Sequence, residues 1–228
     1  MIPSARGTPV QRVPVWSRWL RLAHWAMAGS VLFLLASGWL GRQAPAAFPG
    51  WRQAHMDAGW ILLAALALRA GLLLGGRGSD RLPDMLPRGP QAGAALAMLR
   101  FYLSLGRAPL PAWYAHNPLW GPVYLGWLAL LAASVWTGLE LAGAATGPAE
   151  ATVARHAALA AWVGWIAAAH VAAVAAHDLR ARSADCSAMI HGERIFELRP
   201  PAAAEPRVEI PEQEGLRRPP GAPHDGGH

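Results

Sequence analysis

Three histidines lie in one apolar stretch of the chain, residues 155–182, which is long enough to cross a bilayer. Ionisable side chains within a membrane span are costly, and by default they mark a functional site. His156 and His170 are fourteen residues apart. At 3.6 residues per turn, both side chains leave the same face of a helix, roughly 21 Å apart along its axis. Because neutral imidazole is a good metal ligand, this spacing indicates two metal-binding levels on one helix.

The composition indicates a membrane protein. Of the 228 residues, 54% are hydrophobic and only 15% are charged. The single cysteine, Cys186, excludes an internal disulfide and a cysteine-ligated cluster. All twenty basic residues are arginine and the isoelectric point is near 10.9, but no nucleic-acid-binding motif accompanies them. We therefore expect no nucleic-acid partner and look to the placement of the arginines instead.

Four apolar segments predict an all-α fold, an integral membrane four-helix bundle that contacts membrane lipid. The segments cover residues 22–41, 55–75, 118–142 and 155–177. The long connection between the second and third segments has apolar residues at helical spacing, including Leu96, Leu99 and Leu105. This pattern predicts a helix over residues 91–106 that lies at the membrane interface.

The ends of the chain differ from this central part. Residues 1–15 predict a flexible N-terminal segment, and residues 199–228 predict a disordered tail rich in proline. The domain of four spans is expected to cover residues 16–198.

The arginines are distributed very unequally between the two sides of the predicted bundle. Sixteen lie before the first span, in the long connection or after the fourth span, whereas the opposite side has three. Basic residues concentrate on the cytoplasmic side of bacterial membrane proteins. The distribution therefore predicts a protein of the bacterial inner membrane with both termini in the cytoplasm.

With this orientation, four histidines pair by depth. His24 is near the inner end of the first span and His170 is at a similar depth in the fourth. His55 and His156 both lie near the outer surface. His177 is one further heptad down and matches His24 less well. Two histidines on opposing helices at one depth are what a six-coordinate b-type haem requires, so we expect two haems with these four residues as iron ligands.

Other residues near the predicted ligands fit the same hypothesis. Gly38 and Gly59 lie on the histidine-bearing faces of their helices, where a small residue leaves room for a porphyrin. Arg69 is fourteen residues after His55, inside the second span, where an unpaired guanidinium would be costly. We expect a haem propionate to pair with Arg69 and, closer to the surface, with Arg21.

At these residues the chain resembles the b-type cytochrome subunit of membrane-bound nickel–iron hydrogenases. It is more distantly similar to the gamma subunit of respiratory formate dehydrogenases. The resemblance covers roughly residues 16–196. The motifs that carry it are Arg21-Leu22-Ala23-His24-Trp25, the set His55, Gly59 and Arg69, His116-Asn117-Pro118, the pair His156 and His170, and the segment from Ser187 to Arg194.

The resemblance implies a membrane-anchoring subunit of a quinone-reducing oxidoreductase complex. Such a subunit takes electrons from a periplasmic dehydrogenase, passes them from the outer to the inner haem and reduces a quinone near the cytoplasmic side. Both predicted outer loops are short, so a hydrogenase partner is not the only possibility. One alternative is a standalone quinone-linked cytochrome b that exchanges electrons with a c-type cytochrome. Another is a haem-free anchor or a proton-conducting transporter.

Overall fold

The computed structural model of the protein describes residues 2–3, 9–44, 46, 49–111, 113, 115–144, 149–181 and 185–197. Within them the chain is mainly helical. In chain order the elements are β1 (Ile2–Pro3), β2 (Pro9–Pro14), α1 (Arg18–Gln43), α2 (Trp51–Gly75), two 3-10 helices (Gly78–Asp80 and Leu82–Met85), α3 (Pro90–Leu103), α4 (Trp120–Gly143), α5 (Glu150–Ala181), α6 (Asp185–His191) and β3 (Glu193–Glu197).

Four of these helices, α1, α2, α4 and α5, are long and apolar enough to cross a membrane. They correspond to the four predicted spans and confirm the fold class. Helices α1 and α5 extend beyond both predicted limits, α2 begins four residues earlier than predicted, and α4 begins two residues later. Helix α1, for example, begins at Arg18 because the Ser17 hydroxyl accepts a hydrogen bond from the backbone N–H of Leu20 at 3.0 Å. The sequence pattern locates the apolar part of a helix, whereas the cap decides where the helix begins.

The outer surface of the long helices is strongly apolar. Large side chains are exposed along all four, which is the arrangement expected where lipid rather than water surrounds a helix. Among those most exposed are Leu32, Trp39, Trp60, Leu74, Trp136, Trp165 and Val171. The chain is therefore a multi-pass membrane protein.

The core contains one buried residue from each spanning helix: Val31, Leu62, Leu131 and Val163. Val31 is seven residues from His24, Leu62 is seven from His55, and Val163 is seven from both His156 and His170. Seven residues are about two helical turns. The apolar layer therefore lies midway between the two levels at which the histidines occur.

The two short connections close helical hairpins, α1 with α2 and α4 with α5. In the first hairpin, a Cβ atom on Gly41 would lie only 2.6 Å from the indole ring of Trp51. Only glycine lets the helices approach this closely at the turn. The approach sets the position of the first turn of α2, and His55 lies one turn further along.

The long connection between α2 and α4 folds against the bundle. Its second 3-10 helix packs on the beginning of α4, where a Cβ atom on Gly121 would lie 2.0 Å from the carbonyl oxygen of Met85. Helix α3 corresponds to the helix predicted over residues 91–106 but ends at Leu103, so Leu105 lies in the following turn, with a positive φ of 52°. Its Met98 and Phe101 are buried, whereas the predicted apolar residues Leu96 and Leu99 are exposed. Its position at a membrane interface stays a prediction.

Short strands and helix α6 are additions that the sequence pattern did not predict. The chain divides into two compact units, one of residues 1–10 with 197–228 and one of residues 11–196. In the first, β1 pairs antiparallel with the beginning of β2, Ile2 opposite Val10 and Pro3 opposite Pro9. The other neighbour of β2 in the sheet is β3. The predicted disordered tail, residues 199–228, lies outside the described residues.

Candidate functional site

The four histidines that sequence analysis paired by depth form two pairs of neighbouring rings. The ring centres of His24 on α1 and His170 on α5 are 6.3 Å apart, with an angle of 67° between the rings. The ring centres of His55 on α2 and His156 on α5 are also 6.3 Å apart, at 74°. The two pairs therefore have nearly the same geometry at two levels of the bundle.

A distance of 6.3 Å between ring centres has a simple chemical meaning. An imidazole nitrogen binds a metal ion at about 2.0 to 2.1 Å, and the centre of the ring lies about 1.1 Å behind that nitrogen. Two imidazoles on opposite sides of one metal ion therefore have ring centres roughly 6.3 Å apart. Each pair is spaced as two axial ligands would be.

Hydroxyl groups hold both rings of the His55/His156 pair. The Nδ1 atom of His55 is 2.8 Å from the Oγ of Ser37, and the Nδ1 atom of His156 is 2.8 Å from the Oγ1 of Thr137. The residue after each hydroxyl is a glycine, Gly38 or Gly138. A Cβ atom on either would lie 3.5 Å from the Cε1 atom of the neighbouring ring. Each ring is thus hydrogen-bonded to a hydroxyl and lies close to the backbone of the glycine that follows it.

An apolar cavity lies next to this pair. Gly59 is one of the residues that line it, and a Cβ atom at this position would have no other atom within 4 Å. The other residues around it come from all four spanning helices and include Leu34, Leu35, Leu63, Ser134, Val135, Leu139 and Ala160. An apolar space beside two imidazoles suits a flat hydrophobic group. The predicted role of Gly59, to leave room, agrees with the open space beside it.

Aromatic side chains surround the His24/His170 pair. The rings of Trp120, Tyr124 and Trp127, all on α4, have centres 6.1, 5.6 and 5.7 Å from that of His170. The hydroxyl of Tyr124 is 3.3 Å from the Nδ1 atom of His170. The indole N–H of Trp127 is buried without a hydrogen-bond partner. A buried donor without a partner is costly, so it indicates a bound group that would accept a bond here.

The residues that flank His24 bind helix α6. Arg21 donates through Nη1 to the carbonyl oxygen of Ile190, and Trp25 donates through Nε1 to that of Met189 at 3.0 Å. Carbonyl groups in the last turn of a helix have no partner within the helix, so these bonds satisfy them. The Arg21-x-x-His24-Trp25 motif and the motif after the last span therefore contact each other. The Nε atom of Arg21 stays buried without a partner.

The buried Arg69 has partners within the chain. Its guanidinium donates to the carbonyl oxygen of Asp80 at 2.9 Å and to the Sδ atom of Met85 at 2.9 Å. Both partners belong to the 3-10 helices of the long connection. Arg69 thus fixes this connection against α2, and its predicted pairing with a haem propionate stays a prediction.

His177, which matches the depth of His24 less well than His170 does, is a buried residue of α5. Its Nε2 atom is hydrogen-bonded to the hydroxyl of Tyr102 at 2.8 Å, and this hydroxyl also accepts the indole N–H of Trp120 at 2.8 Å. Burial raises the pKa of the Tyr102 phenol, so this hydroxyl remains a donor at neutral pH. The network joins α3 to α4 and α5 below the His24/His170 pair.

A polar cavity of about 750 Å³ opens beside the loops at this end of the bundle. The side chain of Asn117 accepts the backbone N–H groups of Leu119 and Trp120, which caps α4, and its Nδ2 atom is buried without a partner. The Nδ1 atom of the neighbouring His116 is also buried without a partner. Burial and the nearby Arg69 guanidinium lower the pKa of His116 to about 4, so its imidazole is neutral at pH 7.

Comparison with protein families decides what kind of protein this geometry belongs to. The family model of the prokaryotic cytochrome b561 matches residues 15–192, which include all four paired histidines. The chain belongs to the prokaryotic cytochrome b561 family. Its members are the b-type cytochromes associated with nickel–iron hydrogenases, so this cytochrome is a membrane electron-transfer protein that binds b-type haem iron. Neither the curated proteins nor the solved structures include a significant match.

The side chains of this cytochrome fit such a group. Both imidazole pairs have the spacing of axial ligands, and the cavity beside His55 and His156 is apolar. The buried donors of Arg21 and Trp127 lack partners near the other pair. A haem offers propionate oxygens that accept such bonds. When bound, it supplies one-electron chemistry, and a six-coordinate iron has no open position for oxygen.

Several residues of this site were missed by sequence reasoning. Ser37 and Thr137 bind ring nitrogens, and Trp127 carries a free donor, but serine, threonine and tryptophan are common in membrane helices for other reasons. One signal was available. A hydroxyl residue followed by glycine precedes a histidine by 18 residues in the first hairpin and by 19 in the second.

Proposed function

We propose that this cytochrome holds two b-type haems and transfers electrons between a periplasmic redox partner and the quinone pool of the bacterial inner membrane. His24 and His170 would ligate the inner haem, and His55 and His156 the outer one. The observation that carries the proposal is the ring-centre distance of 6.3 Å in both pairs. One such pair could be a chance contact, but two pairs with the same spacing in one helix bundle favour the same role for both, the binding of a haem iron.

The chain's own residues would orient the ligands and exclude water. The layer of Val31, Leu62, Leu131 and Val163 fills the space between the two levels. Such an apolar layer keeps water and ions from crossing between them. The Nε atom of Arg21 is buried without a hydrogen-bond partner. A haem carboxylate would supply an acceptor for it, which supports a propionate at this end of the bundle.

The polar cavity supports a quinone site at the end where His24 and His170 lie. Its volume of about 750 Å³ is in the range of small-molecule sites. A quinone headgroup has two carbonyl oxygens that accept hydrogen bonds, and the free Nδ2 atom of Asn117 is a matching donor. The neutral His116 can donate or accept through Nδ1, depending on its tautomer, so it could also hold a proton for the reduced form.

The distribution of arginines supports the orientation, with both termini and this cavity on the cytoplasmic side. On the opposite side, α1 ends at Gln43 and α2 begins at Trp51, whereas α4 ends at Gly143 and α5 begins at Glu150. These short connections leave little surface for a large periplasmic dehydrogenase. They favour, as a second candidate, a standalone cytochrome that exchanges electrons with a c-type cytochrome.

The decisive experiment is a dithionite-reduced minus oxidised spectrum of the purified protein, with a pyridine haemochrome count. We expect two b-type haems per chain. One haem would contradict one of the two pairs, and none would contradict the proposal as a whole. Purification from native membranes distinguishes the two candidate partners, because only a dehydrogenase subunit would bring a second polypeptide with a stable interface.

A further inference from the structure

The hydroxyl contacts of the His55/His156 pair define which ring nitrogen is free. The Thr137 hydroxyl donates its single proton to the backbone carbonyls of Ala133 and Ser134, at 3.1 and 3.0 Å. With this donation, the 2.8 Å contact between the Thr137 oxygen and the ring of His156 is a hydrogen bond only when Nδ1 carries the proton, and we assign that tautomer to the ring. The opposite nitrogen, Nε2, then keeps its lone pair for a metal ion.

The same logic applies on the other side of the pair. The Ser37 hydroxyl donates to the carbonyl oxygen of Leu34 at 3.3 Å and lies 2.8 Å from Nδ1 of His55. Both contacts are hydrogen bonds only when the Ser37 oxygen accepts the Nδ1–H of His55, and in that tautomer Nε2 keeps its lone pair. Both rings of this pair are thus held in one tautomer by a hydroxyl on the preceding helix.

The His24/His170 pair lacks this arrangement. In the described part of the chain, the ring of His24 has no hydrogen-bond partner, and that of His170 has one contact, 3.3 Å from the Tyr124 hydroxyl. A hydrogen bond from Nδ1–H makes an imidazole a more basic ligand, which stabilises the ferric state more than the ferrous state. The two levels therefore differ in the hydrogen bonds made to their imidazole rings, and such bonds tune the potential of a bound metal.

We propose that Ser37 and Thr137 are positioning residues that fix the tautomer of the outer haem's ligands and make that haem the one with the lower reduction potential. This inference depends on the proposed function. Arg21, three residues before His24 on α1, would act in the same sense, because a positive charge near the inner haem favours its reduced state. The resulting order favours electron flow from the outer to the inner level.

The test is a spectroelectrochemical titration of the purified protein that resolves the two haems. Removing a hydroxyl should raise the lower potential and leave the higher one unchanged. The variants are Ser37→Ala and the isosteric Thr137→Val. Loss of such an outer partner commonly costs tenfold or more in metal affinity. A tenfold greater loss for the ferric state corresponds to a rise of about 59 mV for a one-electron couple.

Conservative variants and a matched control separate tuning from general disturbance. Ser37→Thr and Thr137→Ser keep a hydroxyl and should restore the wild-type potential. Ser30→Ala removes another buried serine hydroxyl from α1, and Ser30 has no described bond to a histidine ring. This variant should leave both potentials unchanged.

Each outcome has a definite reading. Unchanged potentials in Ser37→Ala and Thr137→Val would overturn the inference, as would a shift of the higher potential alone. If the lower potential disappears in His24→Ala rather than in His55→Ala, the assigned order is wrong. A wild-type protein without haem would overturn both the inference and the proposed function, whereas two bound haems without a shift would overturn the inference alone.

Discussion

The two histidine pairs have the same spacing but very different surroundings. At the His55/His156 pair, hydroxyls and glycine backbone hold the rings beside an apolar cavity, and the nearby connections are short. At the His24/His170 pair, aromatic rings and a free indole donor surround the imidazoles, and helix α6 binds the beginning of α1. The polar cavity lies among the loops at the same end of the bundle. The comparison suggests that the His55/His156 level holds its bound group in a fixed orientation, whereas the end with His24 and His170 is suited to exchange electrons with a small molecule.

The largest expected effect separates the two levels completely. His170→Ala should lower the haem content from two to one per chain, because His24 alone would not hold the inner haem once its second ligand is lost. His177→Ala is the matched control, since this residue is one heptad further along α5 and binds Tyr102 instead. The pyridine haemochrome count and the difference spectrum measure both variants.

The opposite result in these two variants would contradict the assignment of His170 as a ligand. A loss of haem in His177→Ala, with both haems retained in His170→Ala, would mean that the ring distances do not identify the ligands. His156→Ala should remove the other haem and leave the spectrum of the His24/His170 level.

A second, smaller effect concerns exchange at the polar cavity. His116→Phe keeps an aromatic ring against Trp16, whose ring centre is 4.9 Å away, but removes the free Nδ1 atom. A lost hydrogen bond costs about 1–3 kcal/mol, so quinone-dependent reoxidation of the reduced protein should slow roughly tenfold to a hundredfold.

The haem content of His116→Phe should stay at the wild-type value. His191→Phe changes an exposed histidine of α6 that is not part of the cavity wall and should have no effect on the rate. Equal rates in all three proteins would remove the cavity from the quinone reaction.

The contact between α1 and α6 predicts a modest loss of stability. Trp25→Phe deletes the bond to the Met189 carbonyl and should lower the free energy of unfolding by about 1 kcal/mol. Thermal unfolding in detergent, followed by haem absorbance, measures it. Trp39→Phe is the control, because that indole is exposed on the apolar surface with no described hydrogen bond. Equal melting temperatures for the two variants would argue against a stabilising contact.

The last effect is a pH dependence of stability that His116 alone should cause. An unfolded histidine titrates near 6.5, whereas the pKa of the folded His116 is about 4. The unfolded chain binds the extra proton between these values, so His116 contributes stability above pH 6.5 that is lost as the pH falls towards 4. His116→Phe should reduce the slope of melting temperature against pH in this range. An unchanged slope would contradict the shift.

The histidine spacing and the apolar segments were enough to predict the bundle and the pairing of rings. A helix has a fixed period, so residues fourteen apart must share a face, and depth in a membrane follows from length. What could not be predicted depends on contacts distant in sequence. Trp25 meets Met189 and Arg69 meets Asp80 through backbone carbonyls, which every residue carries and which therefore leave no trace in the sequence.

The hydroxyl partners were missed for a related reason. Ser37 lies on the helix that precedes its histidine, and its neighbour Gly38 was interpreted from its distance to His24. The structure shows that Gly38 touches the ring of His55 instead. Periodicity assigns a residue to a face of its own helix but does not say which ring of a neighbouring helix it meets.

The pairing of helices has a consequence for how the protein is made. Each ring pair takes one histidine from the α1–α2 hairpin and one from the α4–α5 hairpin. A group bound between the rings would cross-link the halves of the chain and close long loops, as a metal clip does. Each hairpin can enter the membrane as a separate unit, and cofactor delivery then joins them. Biogenesis would therefore depend on haem supply, and chains made under haem shortage would be open to membrane proteases.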